Sequence, residues 1–165
     1  MVGGRDRLTP GGAAVEIKMV LYLPRDAASV PVSRQVLDGC LETLGVTPET
    51  RIDIALALSE ACANVILHAD QADEYEVMAR ATDGRCIIEV VNKGGALAVP
   101  AARPAPPADG VVALTAEHGR GLKIMDAVVD NLRLTGSRDG TTVHFEKALD
   151  WVPGAAGEHL IAHQG

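Results

Sequence analysis

The sequence predicts an α+β two-layer sandwich, in which a mixed β-sheet carries helices on one face. Three observations lead to it. Two Asp-Gly dipeptides, Asp83-Gly84 and Asp139-Gly140, each join short β-rich runs and mark hairpin turns. Asp26 to Leu44 repeats its apolar residues at three- and four-residue steps, the pattern of a helix with one buried face, and two further stretches, Pro48 to Ala69 and Leu122 to Val129, read as largely apolar helices. The elements follow one another as strand, helix, helix, hairpin, loop, helix, hairpin, an order met most economically by one sheet with its helices on one side.

The chain has 165 residues, enough for one domain, and a domain of this size buries roughly 70% of the surface its unfolded chain exposes. Aromatic residues make up only 2%, so the core must be aliphatic. A net charge of -7 argues against a nucleic-acid backbone as direct partner, because affinity there rests on Lys and Arg neutralising phosphates. A protein or a metal-bound nucleotide fits better. Cys40, Cys62 and Cys86 stand singly in apolar segments, without zinc or redox spacing, and read as reduced core residues. That suits a cytoplasmic location. Glu16 and Lys18 interrupt any signal-peptide core, and no uncharged run approaches the roughly 18 residues of a membrane span.

Residues 1–13 contain a Thr9-Pro10-Gly11-Gly12 turn signal and read as a flexible tail ahead of a domain spanning 14–150. Residues 151–165, rich in Gly and Ala, read as a second tail. Val15 to Leu23 alternates, with Val15, Ile17, Met19, Leu21 and Leu23 on one face, so it is a half-buried strand. Asp26 to Leu44 is an amphipathic helix on Val36, Leu37, Cys40, Leu41 and Leu44, and Gly45 stops it. Its other side, with Arg34, Gln35, Asp38 and Glu42, is a solvated face or a partner surface. Thr47, Pro48 and Glu49 supply an N-cap, a first-turn proline and a first-turn acid for a helix from Pro48 to about Ala69.

Tyr75–Ala81 and Cys86–Val91 form the first hairpin, and Asn131–Gly136 with Thr141–Ala148 the second. Between them, Lys93 to His118 has no periodicity, and Pro100, Pro104, Pro106 and Pro107 exclude regular structure from most of it. Loops of that length inside a domain are usually functional or disordered. Gly119 and Gly121 then precede a short apolar helix, Leu122 to Val129.

Asp53, Ala57, Glu60, Asn64 and His68 share one face of the long helix, whose remaining surface is largely apolar. A helix so apolar should be mostly buried, so the polar stripe must open onto water or a ligand. Taken alone, Glu60 and Asn64 are either a solvated edge or a site in which Asn offers Mg²⁺ a neutral oxygen and Glu deprotonates a hydroxyl. His68 either extends that site or stabilises the helix dipole. Gly119 and Gly121 are either a loop end or a place where a phosphate approaches the free N–H groups of a helix start. Arg120 is either solvated or paired with a terminal phosphate, and Asn92-Lys93-Gly94-Gly95 alone is a turn. Thr141 and Thr142 are either ordinary β-branched strand residues or a pair of which one hydroxyl faces a pocket.

In order, these segments resemble the anti-sigma-factor serine kinases (RsbW-like) of the Bergerat-fold, or GHKL, ATPase superfamily, over roughly residues 15–149. LSEACANVILHA, with Glu60 and Asn64, matches the family's N-box, HGRGLKIM its second glycine box and GTTVHF its closing strand. The resemblance implies a Bergerat fold and a serine/threonine kinase that uses ATP and Mg²⁺. Its implied partners are a STAS-type anti-sigma-factor antagonist, which it phosphorylates, a sigma factor, which it sequesters, and a second copy in a homodimer. Residue by residue, Glu60 would be the general base and Asn64 the Mg²⁺ ligand. Gly119, Arg120 and Gly121 would contact the phosphates, with Leu122 completing that box, and 96–118 would be the ATP lid. Thr142 would sit near the adenine.

One box departs from the family pattern. Where the family has Asp-x-Gly-x-Gly, with Asp accepting a bond from the adenine amino group, this chain has Asn92, Lys93, Gly94, Gly95 and Ala96. Asn92 and Gly94 would still belong to the nucleotide site, but a neutral acceptor lowers affinity by about tenfold. Ala96 restricts the hinge of the lid. The alternative function is therefore a catalytically weak module that keeps the fold and acts only by binding proteins.

Overall fold

The computed structural model describes residues 16–68, 73–92, 116–137 and 140–161. The elements are β1 (Ile17–Pro24), α1 (Ser29–Leu44), α2 (Pro48–His68), β2 (Glu74–Thr82), β3 (Arg85–Asn92), α3 (Ala116–Val128), β4 (Asn131–Ser137), β5 (Gly140–Ala148) and α4 (Ala156–Ile161). The strands form one sheet in the order β1-β2-β3-β5-β4. Every neighbouring pair is antiparallel, so the sheet is not mixed as expected. Both hairpins supply adjacent antiparallel strands, and β1 joins at the edge beside β2, which needs no parallel crossover.

The β2–β3 turn shows why Asp83-Gly84 was a reliable signal. Asp83 has φ 48 and Gly84 φ 70, the paired positive angles of a type I′ turn, whose twist matches that of the flanking strands. Along β3, Cys86, Ile88, Val90 and Asn92 are buried while the residues between them are less so. Against that inner face α2 lays Ile54, Leu58, Ala61, Cys62 and Val65, none more than 1% exposed. Small residues at Ala57 and Ala61 let this helix lie close, which is how a core poor in aromatics fills its volume.

Several expectations change. Cys40 is exposed, whereas Cys62 and Cys86 are buried, and burial pushes their thiols up to about 11 and about 12 respectively. The outer side of α2 is less buried than its composition suggested, since Ile52, Leu56 and Leu67 are exposed. The segment 151–165, expected to be a tail, carries α4 within its described part. There Ile161 is 2% exposed and its carbonyl accepts the Gly84 N–H at 2.8 Å. Gly157 serves closeness and not looseness, because a side chain there would run into the Trp151 ring and the Leu44 carbonyl.

Helix α3 begins at Ala116, not after Gly121. Residues 116–118, expected to end the lid, are its first turn, and the rest of the expected lid, 96–115, lies outside the described residues. The N–H groups of Arg120, Gly121 and Leu122 thus sit past the first turn, where an α-helix uses them internally. The helix start expected at Leu122, with free N–H groups for an anion, is therefore not found there.

Candidate functional site

The polar stripe of α2 faces α3, and two contacts define how the helices meet. At one end Lys147 on β5 donates from Nζ to Asp53 Oδ2 at 2.9 Å and to the Val128 carbonyl at 2.7 Å. The second bond satisfies one of the orphan carbonyls at the end of α3. About two helical turns along α2 is Glu60, and about two turns back along α3 is Gly121. These two touch, since a Cβ at Gly121 would lie 2.7 Å from Glu60 Oε2. The helices therefore run antiparallel, clamped by Lys147 at one end and in close approach at the other.

Glu60 and Asn64 are half-buried, and among the described residues neither makes a hydrogen bond or an ion pair. Gly119 also lies near this end of α3, and a side chain there would meet none of the described residues within 4 Å. Gly121 thus lies close against the neighbouring carboxylate, while Gly119 does not approach a described neighbour. Arg120 is exposed, and Leu122 packs against the core.

The sheet places a third group at this end. From Asp53 to Asn64 α2 rises about 16 Å, and from Lys147 back to Thr141 β5 runs about 20 Å, so the Glu60–Asn64 turn overlies the Thr141 end of the sheet. Tyr75 marks the same level: it pairs with Asn92 across β2 and β3, its hydroxyl bonds Ser29 Oγ at 2.6 Å, and it contacts Cys62 on α2. Burial pushes the Tyr75 hydroxyl up to about 12. Asn92 is 6% exposed, and its Oδ1 has no partner among the described residues.

Strand alternation corrects one expected residue. Val143 and Phe145 are fully buried on the helix side, and Lys147 reaches α2 and α3 on that same side. Thr141 shares their parity, whereas Thr142 shares that of His144, which bonds Glu89 and Glu146 on the outer face. Thr141, not Thr142, therefore points to the helix side. The register, with Val91 opposite Thr142, brings Asn92 alongside Thr141.

Glu60, Asn64, Asn92, Gly119 and Gly121 thus lie toward one end of the molecule. Gly94 and Ala96 lie outside the described residues, as does the side chain of His68. Lys147 was not expected at the site, whereas the sequence leaves open which of Thr141 and Thr142 faces a pocket, the resemblance alone favouring Thr142. Lys147 and Thr141 both carry a signal, since each occupies an inward position in a strand whose buried rungs are Val143 and Phe145.

Among the described residues no cluster of three or more His, Cys, Asp and Glu side chains forms a metal cage. The Asn64 amide, half-buried and unpaired among the described residues, has the hard neutral oxygen that magnesium accepts. The remaining ligands of such an ion usually come from phosphates and water.

Residues 23–147 match the family described as histidine kinase-like ATPase domain. The serine-protein kinase RsbW of Bacillus velezensis is 27% identical over 137 residues, covering 79% of this chain and 84% of that protein. The one from Bacillus pumilus is 30% identical over 139 residues, covering 79% and 85%. Among solved structures, the RsbU and RsbW domains of a Mycobacterium tuberculosis protein align with a TM-score of 0.60 and 21% identity. That alignment covers 81% of this chain and 32% of the other, and it speaks for the fold.

Proposed function

Because the chain belongs to the histidine kinase-like ATPase domain family, in its RsbW-like branch, we propose that it is a Mg-ATP-dependent serine/threonine protein kinase and anti-sigma factor. Its protein substrate is an anti-sigma-factor antagonist, and it sequesters a sigma factor when that antagonist does not engage it. The reading is carried by the Glu60 carboxylate and the Asn64 amide, one turn apart, half-buried and unpaired among the described residues. A half-buried carboxylate and amide without a protein partner face either water or a ligand.

In the reaction a serine or threonine oxygen of the antagonist attacks the γ-phosphorus of ATP, the bond to the β,γ-bridging oxygen breaks, and ADP leaves. Glu60 accepts the hydroxyl proton as the new P–O bond forms. Bound magnesium would be held by Asn64 and would offset the negative charge of the phosphates. Gly121 keeps the space in front of the Glu60 carboxylate free of a side chain. Such chemistry needs mainly positioning and electrostatics.

The test is phosphate transfer from labelled ATP to an antagonist recovered by co-purification. Glu60→Gln should slow transfer by about 10²- to 10⁴-fold while a rise in melting temperature with Mg-ADP is kept. Transfer by Glu60→Gln at the wild-type rate would remove Glu60 as the base. If millimolar Mg-ADP left wild-type melting unchanged, the chain would act by protein binding alone.

A further inference from the structure

We propose that the site takes 6-oxopurine nucleotides, those of hypoxanthine and guanine, as well as adenine nucleotides, with Asn92 as the group that admits both. The inference rests on the nucleotide-site reading above. Its starting point is the Asn92 side chain, 6% exposed, with an Oδ1 that has no partner among the described residues.

The neighbours do not supply that partner. Tyr75, directly across the strand pair, directs its hydroxyl to Ser29 at 2.6 Å. Val90, the preceding residue on the same face, is apolar and buried. A buried carbonyl with no partner among the described residues suits a donor brought by a ligand. Glu60 and Asn64 lie on the helix layer, where a reacting phosphate and its magnesium belong, whereas Asn92 lies on the sheet beneath it. The neutral, deeply buried group therefore suits an uncharged part of the ligand, the polar edge of the base.

The chemistry of the amide then sets the selectivity. An ionised carboxylate in this place only accepts hydrogen bonds, so it favours a 6-amino group and opposes a 6-oxo group. An amide carries an acceptor and a donor at opposite corners, and a half-turn about its Cβ–Cγ bond exchanges them. Oδ1 accepts from the amino group of adenine, and Nδ2 donates to the oxo group of hypoxanthine or guanine. No hydrogen bond among the described residues holds the Asn92 side chain in either orientation, so the exchange breaks no bond within them.

The experiment is calorimetric titration of the full chain with ADP and with IDP in the presence of Mg²⁺. IDP lacks the 2-amino group of guanine, so the comparison bears mainly on the 6-position and the adjoining ring nitrogen. Wild type should bind the two within about tenfold of each other, and Asn92→Asp should favour ADP over IDP by about a hundredfold. Wild type binding ADP but IDP at least a hundredfold more weakly would overturn the inference and leave the nucleotide site standing. Failure to bind either would overturn both. The wild-type ratio decides even if Asn92→Asp does not fold, and Asn92→Ala should weaken both ligands without separating them.

Discussion

The two ends of the α2–α3 contact are built from the same materials and differ in one respect. At the Asp53 end the carboxylate meets Lys147 at 2.9 Å, and Lys147 also takes up the Val128 carbonyl at 2.7 Å. At the Glu60 end a carboxylate, an amide and the nearby buried carbonyl of Asn92 find no partners among the described residues. Both carboxylates lie on one stripe of one helix. What separates a structural acid from a candidate catalytic one is therefore the neighbour, a lysine in one case and a glycine in the other. The polar groups without a partner among the described residues thus lie about two helical turns from an end where one lysine bonds both α2 and α3.

That contrast can be broken from either side. The largest effect expected after loss of Glu60 itself comes from Gly121→Ala. A methyl group would lie 2.7 Å from Glu60 Oε2, and the carboxylate, the far end of a flexible side chain, must move. Stability should hold or rise, since Ala is better than Gly inside a helix by roughly 0.5–1 kcal/mol. Phosphate transfer should nevertheless fall by about 10- to 100-fold. A variant that is both stable and fully active would show that the close approach is packing alone.

Lys147→Met should do the reverse. It leaves Asp53 and the Val128 carbonyl without their donor, and with Asp53 36% exposed the loss is about 1–2 kcal/mol. For a chain of this length that lowers the melting temperature by about 2–8 °C. Lys147→Arg should recover part of it, and the ratio of ADP to IDP affinity should not change. The smallest effect separates the two threonines. Thr141→Val should weaken ADP binding by a few-fold, up to about tenfold, and Thr142→Val should leave it unchanged. The opposite order would mean that nucleotide is not held on the helix side of β5.

Much of the fold was legible because it rests on local rules. The Asp83-Gly84 turn, the Gly45 stop and the first-turn Pro48 each act within a few residues, and each stands where the pattern put it. The misreadings share a cause. In the sequence, glycines and alanines read as looseness near residue 157 and as a helix start near residue 121. In the fold Gly157 makes room for Trp151, and Gly121 for Glu60. Composition cannot tell a glycine chosen for freedom from one chosen for size. Thr142 differs in kind: strand alternation sets Thr141 with the buried Val143 and Phe145 on the helix side and Thr142 on the other, whereas the family motif points to Thr142.

By itself the sequence determined the elements, their order, the aliphatic core and the stripe carrying Asp53, Glu60 and Asn64, because periodicity and turn chemistry are local properties of the chain. Only the tertiary structure decided that all sheet pairings are antiparallel, that Lys147 clamps one end of the stripe and that Asn92 is buried with a carbonyl unpartnered among the described residues. Those facts depend on groups far apart in sequence, such as Asp53 and Lys147, and no local pattern records which of them will meet. Whether a polar group is satisfied is a property of its neighbours, so the division of α2 into a structural end and a reactive end emerges only when the chain is folded.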